Sequence, residues 1–177
     1  MDFKKLANQY RNELLDNVLP FWLEHSQDLE FGGYFSCLDR EGKVFDTDKF
    51  IWLQGREVWM FSMLYNKVEK RQEWLDCAVQ GGEFLKKYGH DGNYNWYFSL
   101  DRSGRPLVEP YNIFSYTFAT MAFGQLSLAT GNQEYADIAK KTFEIILSKV
   151  SNPKGKWNKL HPDTRNLKNF ALPMILC

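Results

Sequence analysis

Residues 50–65 read FIWLQGREVWMFSMLY and contain the features on which the interpretation of the whole chain depends. Large apolar residues occupy every side of the helix predicted from about Asp48 to Val68. A helix that is apolar all round is packed by neighbours on all sides. The polar exceptions Gln54, Arg56 and Glu57 therefore lie at positions where an apolar side chain is expected.

Helices of two kinds alternate along the chain. Amphipathic helices are predicted from Asp2 to about Glu24, from Gln72 to Tyr88 and from Gln133 to Val150. Helices that are apolar on all sides are predicted from Asp48 to Val68, from Tyr111 to Ala129, and from Thr164 or Leu167 onward. Asp2 is a favourable N-cap, and Pro20 is expected to kink or end the first helix.

Two similar hairpins are predicted in the long connections that lead from an amphipathic helix to an apolar one. They lie in residues 31–45 and 89–110, and Gly42 and Gly104 occupy equivalent positions in their turns. This recurrence indicates a repeated unit. Two concentric layers of helices, an outer layer with one wet face and an enclosed inner layer, explain the alternation. The sequence thus predicts an all-α toroid of the α/α type with small β-hairpins at one rim, where a pocket would open.

Three such units do not close a ring, and the last residues, LKNFALPMILC, are apolar. We therefore expect residues 1–177 to form one incomplete domain that stops within an inner helix. The inner helices of such a domain would expose a large apolar surface, so we expect the isolated chain to aggregate or to stay partly unfolded.

Composition excludes several classes of function. Lys plus Arg and Asp plus Glu both number 22, so there is no excess charge to attract a nucleic acid or an acidic membrane. The sequence has no run of 18 apolar residues that would span a membrane. The wide spacing of the cysteines favours reduced thiols in the cytoplasm over disulfides or a metal site; they are Cys37, Cys77 and Cys177.

Arg56 admits two interpretations. A guanidinium inside an apolar helix is either paired with a carboxylate of a neighbouring helix or lines a polar pocket and faces an oxygen-rich ligand. Residue type and position leave these two possibilities open. The histidines His25, His90 and His161 lie outside the predicted inner helices and have no spacing typical of a metal site, so we predict no metal.

A longer stretch, FWLEHSQDLEFGGYFSCLDREGKVFDTDKFIWLQGREVWMFSMLY at residues 21–65, closely resembles the opening of the N-acylglucosamine 2-epimerases. The resemblance continues through FSLDRSGRPLVEPYNIFSYTFATMAF, NPKGKW and ALPMIL. It implies the N-terminal half of an (α/α)6 barrel. It also implies interconversion of N-acetylglucosamine and N-acetylmannosamine through loss and return of the C2 proton, with ATP as an allosteric activator and a homodimer as the complete form.

The resemblance also implies roles for individual residues. Arg56 matches the arginine at the floor of the family's pocket, where it would hold the carbonyl oxygen of the sugar. Phe114 matches a pocket position that is Tyr in the disaccharide epimerases, and Met174 lies near a position that is His in other branches. We predict Gln54 as a further substrate-binding residue, whereas Trp52 is expected to serve in core packing.

The family's two catalytic histidines belong to the second half of the barrel, beyond Cys177, and none of the histidines here matches them. We therefore expect the chain alone to be inactive. One alternative is a half-barrel that binds a protein and catalyses nothing. Another is a glycosidase or lyase on an α/α toroid, which requires a pair of inner-rim carboxylates that is not visible here.

Overall fold

The computed structural model describes residues 2–152 and 170–177. The helices are α1 (Phe3–Glu13), α2 (Leu19–His25), α3 (Ile51–Lys67), α4 (Gln72–Tyr88), α5 (Phe114–Thr130), α6 (Gln133–Ser148) and α7 (Ala171–Leu176). The strands are β1 (Cys37–Leu38), β2 (Val44–Asp46), β3 (Lys49–Phe50), β4 (Ser99–Leu100) and β5 (Pro106–Val108). The predicted start of the last helix, at Thr164 or Leu167, lies outside the described residues.

The helices form two layers, as the sequence predicts. α3 packs against α5 within the inner layer, and each of them packs against the helix that follows it, α4 and α6 respectively. Both inner helices contribute fully buried side chains to the core, among them Val58, Phe61, Phe123 and Leu126. Of the helices in the described residues, none is long and apolar enough to cross a membrane.

The first amphipathic segment is interrupted in an unexpected way. The Asp2 carboxylate accepts hydrogen bonds from the backbone N–H groups of Lys4 and Lys5, which confirms the predicted N-cap. Between α1 and α2, residues Leu14–Val18 form a π-helical turn. Pro20 lies in the first turn of α2, where the backbone N–H that proline lacks has no partner within that helix. The wider π-helical turn before it accommodates the proline ring, so the helix does not end there.

Both predicted hairpins are present at one rim. β1 pairs with β2, and β4 pairs with β5, in antiparallel fashion, with Gly42 at φ +83° and Gly104 at φ +94° in the turns. β4 also pairs with β3, which gives a sheet in the order β3–β4–β5. Because residues 49–50 belong to this sheet, α3 begins at Ile51 and not at Asp48 as predicted. The backbone N–H of Ile51 donates to the carbonyl of Phe98 at 3.0 Å.

A buried ion network connects three separate parts of this rim. The Lys49 ammonium lies 2.9 Å from the Asp28 carboxylate, and both side chains are fully buried. Arg102 donates to both oxygens of the same carboxylate, at 2.9 and 3.0 Å. Burial alone would raise the pKa of Asp28, but the hydrogen bonds from Arg102 and Lys49 outweigh it and hold that pKa below its ordinary value.

The two inner helices approach each other at Gly55. A Cβ atom at this position would lie 2.9 Å from the carbonyl carbon of Phe118 on α5, so only glycine allows this separation. Gly82 on α4 likewise lies against Leu126 of α5, and Gly81 lies against the ring of Tyr34. These two adjacent glycines therefore allow close packing contacts on α4.

The ion network predicts a large cost for Lys49→Met. The substitution leaves Asp28 buried with one of its two cations removed, and we expect the free energy of unfolding to fall by about 3–5 kcal/mol. Urea denaturation of the protein measures it. Lys43→Met, at an exposed position on the neighbouring hairpin, is the matched control. An equal effect of the two substitutions would contradict a role for the network.

The close approach of α3 and α5 predicts that Gly55→Ala lowers the free energy of unfolding by about 1–3 kcal/mol, because the added methyl group overpacks the crossing. Gly124→Ala on α5 is the control, since no described atom lies within 4 Å of a Cβ atom built there. We expect this second change to be neutral or to stabilise by up to about 1 kcal/mol, as alanine favours a helix. Equal values from urea denaturation would show that the crossing tolerates a side chain.

Candidate functional site

Three consecutive residues of α3 point in three directions because successive helical residues are about 100° apart. Gln54 is fully buried and forms two hydrogen bonds with the backbone of Tyr34, each 2.8 Å long, donating to its carbonyl and accepting from its N–H. The Tyr34 hydroxyl in turn donates to the carbonyl of Cys77 on α4 at 2.8 Å. Gln54 therefore does not join a ligand surface: its amide fixes the rim loop to α3.

Arg56 lies on the other side of the helix, where its side chain is exposed in the described part of the chain. Its guanidinium carbon is 5.7 Å from the centre of the Trp52 ring and 5.4 Å from that of Phe118. Within residues 2–152 and 170–177, no carboxylate lies within ion-pair distance of it. The open question about Arg56 is thus resolved for this part of the chain in favour of a guanidinium held by aromatic faces and not by an acid.

An aromatic surface surrounds this guanidinium. The Trp52 and Phe118 rings are 6.2 Å apart, which places Trp52 beside Arg56 at the surface in addition to any packing role. Phe114 is half-buried and is the first residue of α5, where its N–H donates to the Asn112 side chain at 2.9 Å. It lies four residues before Phe118 and so on the same face of α5. The sequence analysis overlooked Phe118, although this helical spacing from Phe114 could have identified it.

Met174 lies apart from these residues on α7. Its side chain is 66% exposed, whereas Leu172 and Leu176 of the same helix pack against the core. Because position 174 is two residues from each of them, it lies on the opposite face of the helix. The structure thus brings Arg56 and Phe114 to one surface through Phe118, and it places Gln54 and Met174 elsewhere.

Glu57 is the other polar residue of this helix, and it faces a cavity between α2 and α3. The cavity has a volume of about 260 Å³. The Oε1 atom of Glu57 and the hydroxyl of Ser36 are buried and have no hydrogen-bond partner among the described residues. Burial raises the pKa of Glu57 to about 8, although the nearby Ser26 hydroxyl acts in the opposite direction, so the carboxyl group is mostly protonated at neutral pH.

The histidines that the structure describes have other roles. His25 packs over the hairpin turn at Gly42. His90 stacks on Tyr94 with 4.8 Å between ring centres, and its Nδ1 accepts the N–H of Gly92 at 3.0 Å. Burial lowers the pKa of His90. His161 lies outside the described residues, and among those that are described no cluster of three His, Cys, Asp or Glu side chains could hold a metal ion.

Comparisons with known proteins agree with this architecture. The family model for N-acylglucosamine 2-epimerase matches residues 33–174. The N-acylglucosamine 2-epimerase of Bos taurus is 41% identical over 92% of this chain and 40% of its own length, and that of Homo sapiens is 44% identical over 75% of this chain and 32% of its own length. The chain therefore spans about 40% of the length of such curated relatives.

Solved structures show the same fold. The cellobiose 2-epimerase from Bacillus thermoamylovorans superposes with a TM-score of 0.74 at 30% identity, covering 82% of this chain and 37% of that one. Cellobiose 2-epimerases have an (α/α)6 barrel fold, so the two layers described above form the N-terminal part of such a barrel. By its sequence and by its fold, this chain belongs to the N-acylglucosamine 2-epimerase family.

Proposed function

We propose that the complete protein interconverts N-acetylglucosamine and N-acetylmannosamine. The observation that carries the proposal is sequence identity, which is higher to the N-acylglucosamine 2-epimerases than to a cellobiose 2-epimerase of the same fold. Identity is 41–44% to proteins named N-acylglucosamine 2-epimerase and 30% to a cellobiose 2-epimerase. Phe114, an aromatic without a hydroxyl group, lies on the same face of α5 as Phe118, whose ring lies beside Arg56, and this is compatible with a monosaccharide in the pocket.

Arg56 supplies the electrostatic part of the reaction. The C2 proton of a ring-opened sugar is acidic because its loss leaves negative charge on the neighbouring carbonyl oxygen. A guanidinium presents several N–H donors to such an oxygen, and it stabilises the charge most where water is excluded. The guanidinium carbon lies over the Trp52 and Phe118 rings, and no carboxylate of the described residues pairs with its N–H groups, which leaves them available for the sugar.

The acid and the base that move the proton come, in this proposal, from the part of the complete protein outside this chain. His25 and His90 support this division, because both are packed against neighbouring loop residues and neither lies on the aromatic surface around Arg56. This chain then provides one wall of the pocket together with its charge-stabilising residue.

The remaining expectations are also proposals for the complete protein. We propose a homodimer in a reducing compartment such as the cytoplasm, where the three unpaired thiols are stable. We also propose ATP as an allosteric activator of the complete protein, and we assign no nucleotide contact to this part of the chain.

Substitution of Arg56 tests the proposed chemistry. In the complete protein, Arg56→Met removes the charge that stabilises the developing oxyanion, and we expect kcat for N-acetylmannosamine formation to fall by about 10²–10³-fold. Arg40→Met, in an exposed hairpin turn, is the control and should leave kcat unchanged. Unchanged kcat in the Arg56 variant would exclude Arg56 from the reaction. Absence of epimerisation by the unmodified complete protein would overturn the proposed function itself.

Because the proposed acid and base lie outside this chain, we predict that residues 1–177 alone do not catalyse proton exchange. In heavy water, N-acetylglucosamine incubated with the purified chain should keep its C2 proton. The complete protein, assayed in parallel, should replace it with deuterium. Proton NMR measures both, and loss of the C2 signal with the shorter chain would show that it contains its own base.

A further inference from the structure

The two aromatic rings beside Arg56 come from different inner helices. Trp52 precedes Arg56 by one helical turn on α3 and is its neighbour on that helix surface, whereas Phe118 belongs to α5. The guanidinium carbon is 5.7 Å from the first ring centre and 5.4 Å from the second. At such distances the negative face of an aromatic ring attracts a cation. Both rings are half-buried, so packing restricts them, whereas the Arg56 side chain is exposed in the described part of the chain.

Gly55 brings the second ring to Arg56. A Cβ atom at position 55 would lie 2.9 Å from the carbonyl carbon of Phe118 and 3.1 Å from its Cβ atom, so the two helices touch at these residues. Arg56 is the next residue of α3, and the Phe118 side chain therefore begins close to it. A larger separation of α3 and α5 would leave Trp52 beside Arg56 and would move Phe118 away. The surroundings of the guanidinium thus depend on the tight contact at Gly55.

Aromatic neighbours affect an arginine differently from an acid. A carboxylate would occupy the N–H donors of Arg56 and would offset its charge. Within residues 2–152 and 170–177, no carboxylate is within ion-pair distance. A ring attracts the cation through its quadrupole and carries no net charge. The two rings therefore restrict a long side chain, which would otherwise lose conformational entropy on binding a ligand, and they leave its charge uncompensated.

We propose that Trp52 and Phe118 are positioning residues, which hold the Arg56 guanidinium in place before the sugar binds. This inference rests on the proposed function, in which Arg56 stabilises the charge that develops on the carbonyl oxygen. A charge that is already in place does so without reorganising during the reaction. Because the oxygen carries more charge in the transition state than in the bound sugar, loss of a ring should lower kcat more than it raises KM.

Phe118→Leu in the complete protein tests this role, since leucine is apolar but has no ring. Cation–π attraction of ordinary strength corresponds to an expected fall in kcat of about 5- to 30-fold, with KM changed by less than about 2-fold. Phe118→Tyr keeps the ring face and should retain the unmodified kcat. Phe143→Leu, at an exposed ring of the outer helix α6, is the matched control and should leave both constants unchanged. Equal kcat values for the two leucine variants would overturn the role of Phe118.

Trp52→Leu tests the other ring in the same way. We expect a fall in kcat of similar size, about 5- to 30-fold, and a much smaller change in KM. A rise in KM with kcat unchanged would show that Trp52 binds the sugar in its ground state, and it would overturn a positioning role for this residue.

A double-mutant cycle separates positioning from a structural role. If Phe118 acts only through the guanidinium, Phe118→Leu should not lower kcat further in the Arg56→Met background. The same fall in both backgrounds would overturn the proposal, because the ring would then support the fold or contact the sugar directly. Failure of the proposed function gives a different result, since the unmodified complete protein would then form no N-acetylmannosamine.

Discussion

The ion network of Asp28, Lys49 and Arg102 is the constraint on which the arrangement of this rim depends. Its members come from the loop after α2, from β3 and from the turn between β4 and β5, and two of them are fully enclosed. A buried charge has to be paired, so the three segments cannot separate independently. Since β3 leads directly into α3, the network also determines where that helix begins and which way its first residues face.

Three adjacent residues of α3 connect this rim to the candidate site. Gln54 binds the rim loop, Gly55 lets α5 approach, and Arg56 projects over Trp52 and Phe118. Each uses a different side of the same helical turn. The triplet Gln54–Gly55–Arg56 inside an otherwise apolar helix is thus accounted for by three separate contacts, of which only the last is suited to a ligand. The scaffold and the pocket share a single turn of helix, so they cannot vary independently in sequence.

Much of this fold could be predicted because its signals are local. The alternation of helix types, the N-cap at Asp2 and both hairpin turns follow from residues within a few positions of each other. The start of α3 could not be predicted, because Lys49 and Phe50 pair with a strand fifty residues away. The pairing of Asp28 with Lys49 and Arg102 could not be predicted either, because these residues are also far apart in the sequence. Gln54 was predicted to bind substrate because it adjoins Arg56 in the motif that carries the family resemblance, and nothing in the sequence indicates that the backbone of Tyr34 satisfies its amide group.

The π-helical turn at Leu14–Val18 makes the direction of the α1 side chains depend on the exact number of residues in this first segment. A turn of this kind contains one more residue than an α-helical turn, so α1 and α2 are offset by one position in their helical phase. Loss of a single residue between 14 and 18 would restore a regular helix, yet it would rotate the Phe3 and Tyr10 side chains by about 100° relative to Trp22. Insertions and deletions in related sequences should therefore avoid this turn, although its exposed residues, unlike Leu15, which packs against the core, are individually replaceable.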